Sequence, residues 1–156
     1  MKKLTILLLS SVLMLGAAAC SNGEKTASNA PDSTQASPQA PKAEDVQQAK
    51  QDAQSETRRN QLNANIKARE ERNNALNAGK AEGRADNALE SEVASKLEAN
   101  IPASALIVKS DNSGVITITG TVTKQDQIAK IEPLAKQIKG VKQVNNKATV
   151  AAPKAQ

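Results

Sequence analysis

Large apolar residues fall along this chain in three regimes. Leu4 to Leu15 is a predominantly apolar run of 12 residues. Residues 21–85 then hold only Val46, Leu62, Ile66 and Leu76, whereas the next 65 residues, 86–150, hold eighteen Leu, Ile and Val. A chain below roughly 20% large aliphatics seldom supports a packed core, so only 86–150 is predicted to fold as a globular domain. Its pattern opens on a helix: Leu89, Val93 and Leu97 recur at i, i+4 and i+8 and form one buried row. Asn87 with Glu90 fits a capping box, and Asn100 and Pro102 close the helix. Leu106 to Lys109, the turn Asp111 to Gly114 and the alternating run Val115 to Thr119 predict a hairpin. Ile116, Ile118 and Val122 share its covered face, and Val115, Thr117, Thr119 and Thr121 take the other. Thr123 and Asp126 suggest a second N-cap. Ile128, Ile131, Ala135 and Ile138 line the helix behind it, which Pro133 should kink and Gly140 stop. The last strand is Val144 to Val150, with Val144, Ala148 and Val150 on one side.

The predicted fold class is therefore α+β: an αββαβ domain at 86–150, with two helices on one face of a three-stranded sheet. Residues 20–41, rich in Ser, Ala, Asn, Gln and Pro, predict a disordered tether. Residues 42–85 predict a solvent-exposed helical spacer, since no Pro or Gly interrupts Lys42 to Ala78 and Ala, Gln and charged residues dominate. Pairs such as Glu56–Arg59 and Lys67–Glu71 support it, but its four aliphatics hold no heptad seam. Gly79 and Gly83 read as a hinge, and 151–156 as a tail. Nine basic and seven acidic side chains interleave over 42–85, the pattern of a solvated helix face rather than of a nucleic-acid site.

Composition then removes whole classes of chemistry. The chain has no His, Phe, Tyr or Trp and a single cysteine, Cys20. Without imidazole there is no Ser-His-Asp triad and no histidine metal site. One cysteine closes no internal disulfide, and the Gly-rich phosphate loops are absent. Asp111-Asn112-Ser113-Gly114 starts like a calcium loop, yet position 122 is Val where a bidentate Glu is required. Glu70 and Glu71 diverge by about 100° on a helix and form no acid–base pair. No catalytic residue, metal ligand or cofactor is expected, and an enzyme is not predicted.

The N-terminus carries the clearest signal. Lys2 and Lys3 precede the apolar run, and Gly16-Ala17-Ala18-Ala19 leads into Cys20. A spanning helix needs roughly 20 apolar residues, so 1–19 reads as a signal peptide. The small residues before Cys20 resemble a bacterial lipobox, with Ala17 where Leu is commonest. The resemblance implies a Cys20 acylated on its thiol and on its new amino terminus. Ordinary cleavage at Ala17-Ala18-Ala19 is the alternative, and it would leave a lone thiol in an oxidising compartment. Ser21 in place of Asp implies sorting to the outer membrane, facing the periplasm.

Residues 86–150 resemble the BON family, named for bacterial osmotically inducible and nodulation proteins. The resemblance rests on Leu89-x-x-x-Val93-x-x-x-Leu97, on Gly114 to Val122 (GVITITGTV), and on Gly140-Val141-x-x-Val144-Asn145-Asn146-x-Ala148-x-Val150. It implies binding to phospholipid surfaces and a role in envelope maintenance under osmotic stress. Charge is uneven here: residues 86–120 carry five acids against two lysines, and 121–156 seven lysines against two acids. Lys136, Lys139, Lys142 and Lys147 are the candidate anionic-lipid-binding residues; helix-dipole complementation and solubility explain them equally well. The expected protein is thus a membrane-anchored envelope lipoprotein that binds phospholipid or an envelope partner and no nucleic acid. The alternative is a structural spacer lipoprotein docking to a periplasmic protein or the cell wall.

Overall fold

A computed structural model describes residues 23–154; the signal peptide expected at 1–19 and the expected acylation site Cys20 lie outside them. Alternation along the hairpin sets the core. Strand β2 (Ala105–Ser110) pairs antiparallel with β3 (Val115–Val122), and Ile118 lies opposite Val108. Strand β4 (Gln143–Val150) joins β3 in parallel, with Val144 beside Ile116 and Ala148 beside Gly120. Helix α3 (Asp86–Asn100) precedes β2 in sequence, and α4 (Gln125–Ala135) lies between β3 and β4. They bring Leu89, Val93, Leu97 and Ile131 onto Leu106, Val108, Ile116, Ile118 and Val122. Each of those side chains is almost wholly withdrawn from water, which stabilises the fold by about 1.5–3 kcal/mol per large aliphatic. The α+β fold with its αββαβ core agrees with the sequence.

The strand count is four. Glu24–Lys25 form β1, antiparallel to β2 at its other edge, with Glu24 opposite Val108 and Lys25 opposite Ile107. Thr26 fixes this edge. Its N–H donates to the Leu106 carbonyl at 2.9 Å, its Oγ1 accepts the Leu106 N–H at 2.9 Å, and the same hydroxyl donates to the Ser104 carbonyl at 3.0 Å. The following residues cross the sheet's second face: Ala30 is buried, the Thr34 carbonyl accepts from Thr119 Oγ1, and Pro41 to Ala43 exchange backbone hydrogen bonds with Lys154 beyond β4. This strap explains why Ile107, Thr119 and Thr121 are buried although they face away from the helices. The tether expected at 20–41 is therefore ordered from residue 23 onward, and the tail meets it. Backbone pairing and small side chains hold the segment, so its lack of large aliphatics gave no sign of packing.

The spacer also departs from expectation. It forms two helices, α1 (Ala43–Gln54) and α2 (Glu56–Asn77), because Ser55 leaves helical geometry and its side chain accepts the Arg58 N–H at 3.1 Å, the N-cap role serine favours. It is not wholly solvent-exposed. Val46 and Leu62 are buried, and Arg58 makes a two-pronged bond to Glu98 of α3 at 2.6 and 2.8 Å. Asn77 Nδ2 donates to the Glu82 carbonyl at 2.7 Å, so the Gly79–Gly83 loop is stitched to the helix end and is no free hinge.

Two caps and one helix end move as well. Ala85 takes the N-cap position of α3, with no side-chain bond; Glu90 turns inward to accept the Ser110 N–H at 3.0 Å. Before α4, Gln127 Oε1 accepts from the Thr123 and Lys124 N–H groups, replacing Thr123 and Asp126 as the cap. Helix α4 stops at Ala135 instead of bending through Pro133. Proline cannot donate to the Ala129 carbonyl, and the chain tightens into the three-residue bonds Leu134–Gln137 and Ala135–Ile138.

Thr26→Val keeps the side-chain shape and deletes the hydroxyl. It strands the Leu106 N–H and should cost about 1–3 kcal/mol in urea unfolding. Thr34→Val, where only the carbonyl is used, should stay within about 0.5 kcal/mol of the parent. Equal effects would contradict the edge assignment.

Candidate membrane-facing end

Turn geometry gathers three loops at one end of the sandwich. The β2–β3 turn is set by Asp111, whose carboxylate accepts from Ser113 N, Ser113 Oγ and Val115 N at 2.9, 2.7 and 2.9 Å. These bonds hold its carboxyl below the usual range, the Ser113 hydroxyl contributing most. Gly114 and Gly140 both have positive φ, and a Cβ on Gly114 would fall 2.5 Å from the Gly140 carbonyl oxygen. Gly140 in turn lies against Arg84 and Ala81, so the α4–β4 turn rests on the loop between α2 and α3.

A buried ion pair ties this end together. Arg84 and Glu92 side chains are 2% and 0% exposed and form a two-pronged pair. Arg84 Nη1 also donates to the Lys139 carbonyl at 2.5 Å. Burial pushes the Glu92 carboxyl above its ordinary range, against the opposing pull of the Arg84 hydrogen bond and charge. The α2–α3 hairpin is thereby clamped to the turn that carries the candidate lysines.

Those lysines do not form one cluster. Lys136 follows α4 directly and pairs with Glu132 at 2.6 Å. Lys139 reaches toward Gly79 at the C-terminal end of α2, where a cation complements the helix dipole. Lys142 donates its backbone N–H to the Gly114 carbonyl at 2.9 Å and is exposed. Lys147 stands apart. Its register partner is Thr119, on the strap-covered face, about 16 Å up the strand from Lys142. The grouping that sequence reasoning missed adds Lys80, which the α2–α3 loop brings to the same end.

A separate polar cleft of about 480 Å³ opens between the strap, α1 and the start of α2, lined by Asp45, Asp52, Arg58 and Glu98. Arg58 already takes both Glu98 oxygens there. That bond raises the Arg58 guanidinium above its ordinary pKa.

Residues 85–152 match the family model of the BON domain. This part of the chain is a BON domain. The match begins one residue before α3 and ends two residues beyond β4, so the strap and helices α1 and α2 lie outside it. BON domains belong to a binding family, not a catalytic one, with a general tie to phospholipid and envelope surfaces. No curated protein matches the chain, and no solved structure does.

Removing Glu92 leaves a buried guanidinium without its counter-charge. Glu92→Ala should destabilise the BON domain by about 3–5 kcal/mol. Arg58→Ala, which breaks a pair whose arginine is 42% exposed, should cost about 1 kcal/mol or less. Urea titrations of both variants decide it, and similar losses would contradict the clamp.

Proposed function

We propose that this protein is a lipid-anchored component of a bacterial envelope, attached through acyl groups on Cys20. Its BON domain engages phospholipid surfaces and supports membrane integrity under osmotic or envelope stress. The observation that carries the reading is the BON match across a complete, folded αββαβ unit. The sequence around Cys20 supports the anchor, and Ser21 after it supports the outer membrane facing the periplasm. Among the described residues no helix is long and apolar enough to cross a membrane, so attachment in this reading rests on the N-terminal lipid and the domain surface. The spacer-lipoprotein alternative needs a projecting arm, whereas α2 lies along α3 through Leu62 and the Arg58–Glu98 pair.

The test is sedimentation with anionic vesicles, using a form lacking residues 1–20, which retains every described residue. Binding should fall steeply with salt. Each lysine near an anionic surface contributes about 1 kcal/mol, so exchanging Lys136, Lys139 and Lys142 together for Ala should weaken partitioning at least about tenfold. Lys147→Ala should have less effect than any one of those three. Salt-independent or absent binding would contradict the reading. Mass spectrometry of the mature N-terminus tests the anchor: acylation should be present in the parent and lost in Cys20→Ser.

A further inference from the structure

The strap fixes where the chain leaves the domain. Strand β1 runs antiparallel to β2 with Glu24 at Val108 and Lys25 at Ile107, so Gly23 before it lies on the Lys109 and Ser110 side. Gly23 itself packs against the Val108 carbonyl and the Ile107 side chain. Its N-terminal side therefore points to the end of the sheet that carries the Asp111–Gly114 turn. Ser110 is bonded to Asp86 and Glu90 of α3, which places the start of α3 at this end too. The Gly140 turn and the 79–85 loop complete it through the contacts of Gly114 and Gly140.

Cys20 precedes Gly23 by three residues, a reach of about 10 Å even when fully extended. An acyl anchor on Cys20 thus cannot sit far from this one end of the sandwich, while the far end, where β3 runs into α4, lies about 25 Å further along the strands. Exposed cations are available at that end: Lys80, Lys139 and Lys142 stand on its loops, with Lys136 paired to Glu132 and Lys109 to Glu90, beside the acids Glu82, Asp86 and Asp111. The strap lies outside the BON match, so this placement does not follow from the match itself.

We infer that the strap turns the lipid anchor into an orienting device: the end bearing the 79–85, 111–114 and 136–142 loops is held against the anionic phospholipid bilayer that carries the anchor. This rests on the lipoprotein reading above. The domain is then no freely roaming module on a long leash. It lies close to its own membrane, with Lys80, Lys139 and Lys142 toward the headgroups and the β3–α4 end turned away.

The experiment uses the processed full-length lipoprotein reconstituted in vesicles of phosphatidylethanolamine and phosphatidylglycerol. Single labels are placed through Asn112→Cys at the near end or Gln125→Cys at the far end, both exposed, and quenched by a short-range headgroup quencher. The proposal expects quenching at the Asn112 position to exceed that at Gln125 at least about threefold. A flexible insertion of about 20 residues between Cys20 and Gly23, spanning about 25 Å, leaves the fold untouched and should erase most of that difference. Equal quenching at both positions in acylated protein overturns the proposal alone, as does a difference that survives the insertion unchanged. Failure of Cys20 to be acylated, read by mass spectrometry of the same sample, overturns the proposal together with the reading beneath it.

Discussion

One hydroxyl group decides what this molecule is. Thr26 Oγ1 accepts the Leu106 N–H and donates to the Ser104 carbonyl while the Thr26 backbone N–H reaches the Leu106 carbonyl. A bare β2 edge would present unpaired backbone groups, a liability in any sheet. With Thr26 in place, the outward N–H of Leu106 is satisfied by the strap and that of Ser110 by Glu90. From this edge the chain crosses the second sheet face to reach the tail at Lys154. The three-stranded sheet of an isolated αββαβ unit would leave Ile107 open to solvent; here it is closed on both faces.

The buried Arg84–Glu92 pair is the second tie, and it acts on the opposite face. Such pairs contribute little net stability once desolvation is counted, but losing one partner is costly. The pair therefore works as a positional constraint. It brings the α2–α3 loop, the Lys139 carbonyl and the middle of α3 to one point, and the lysine-bearing turn inherits that placement. Helices α1 and α2 become part of the folded body because of this clamp and the Arg58–Glu98 bond, despite having few apolar side chains to bury.

What was legible in the sequence was whatever depends on large aliphatics. The period-two run Ile116, Ile118, Val122 and the period-four row Leu89, Val93, Leu97 gave the hairpin, its covered face and the first domain helix. Polar capping was not legible, because Asn87 and Glu90 satisfy a local pattern while Glu90 has a stronger use on the Ser110 N–H, twenty residues away. The strap was invisible for a related reason: Thr26 and Ala30 pack through a hydroxyl, a backbone and a methyl group, none of which stands out in a Ser- and Ala-rich segment. Ser55 could have been read as an N-cap breaking the long helix. Among the candidate lysines, Lys147 carried its own warning, since Val144, Ala148 and Val150 already claim the opposite parity of the strand. The convergence of Lys80 with Lys139 and Lys142 needed the fold, as it depends on Gly114, Gly140 and Arg84 meeting across three loops.

The central claim is that the N-terminal strap is a constituent of the domain. Amide hydrogen exchange at β2 tests it most directly, because neighbouring residues there point to opposite partners. Ile107 faces β3, and Leu106 faces Thr26. If the strap is integral, the Leu106 amide should be protected nearly as strongly as that of Ile107, with both opening only in large-scale unfolding. A Leu106 amide that exchanges orders of magnitude faster than Ile107 would mean that the edge is open, and would contradict the account.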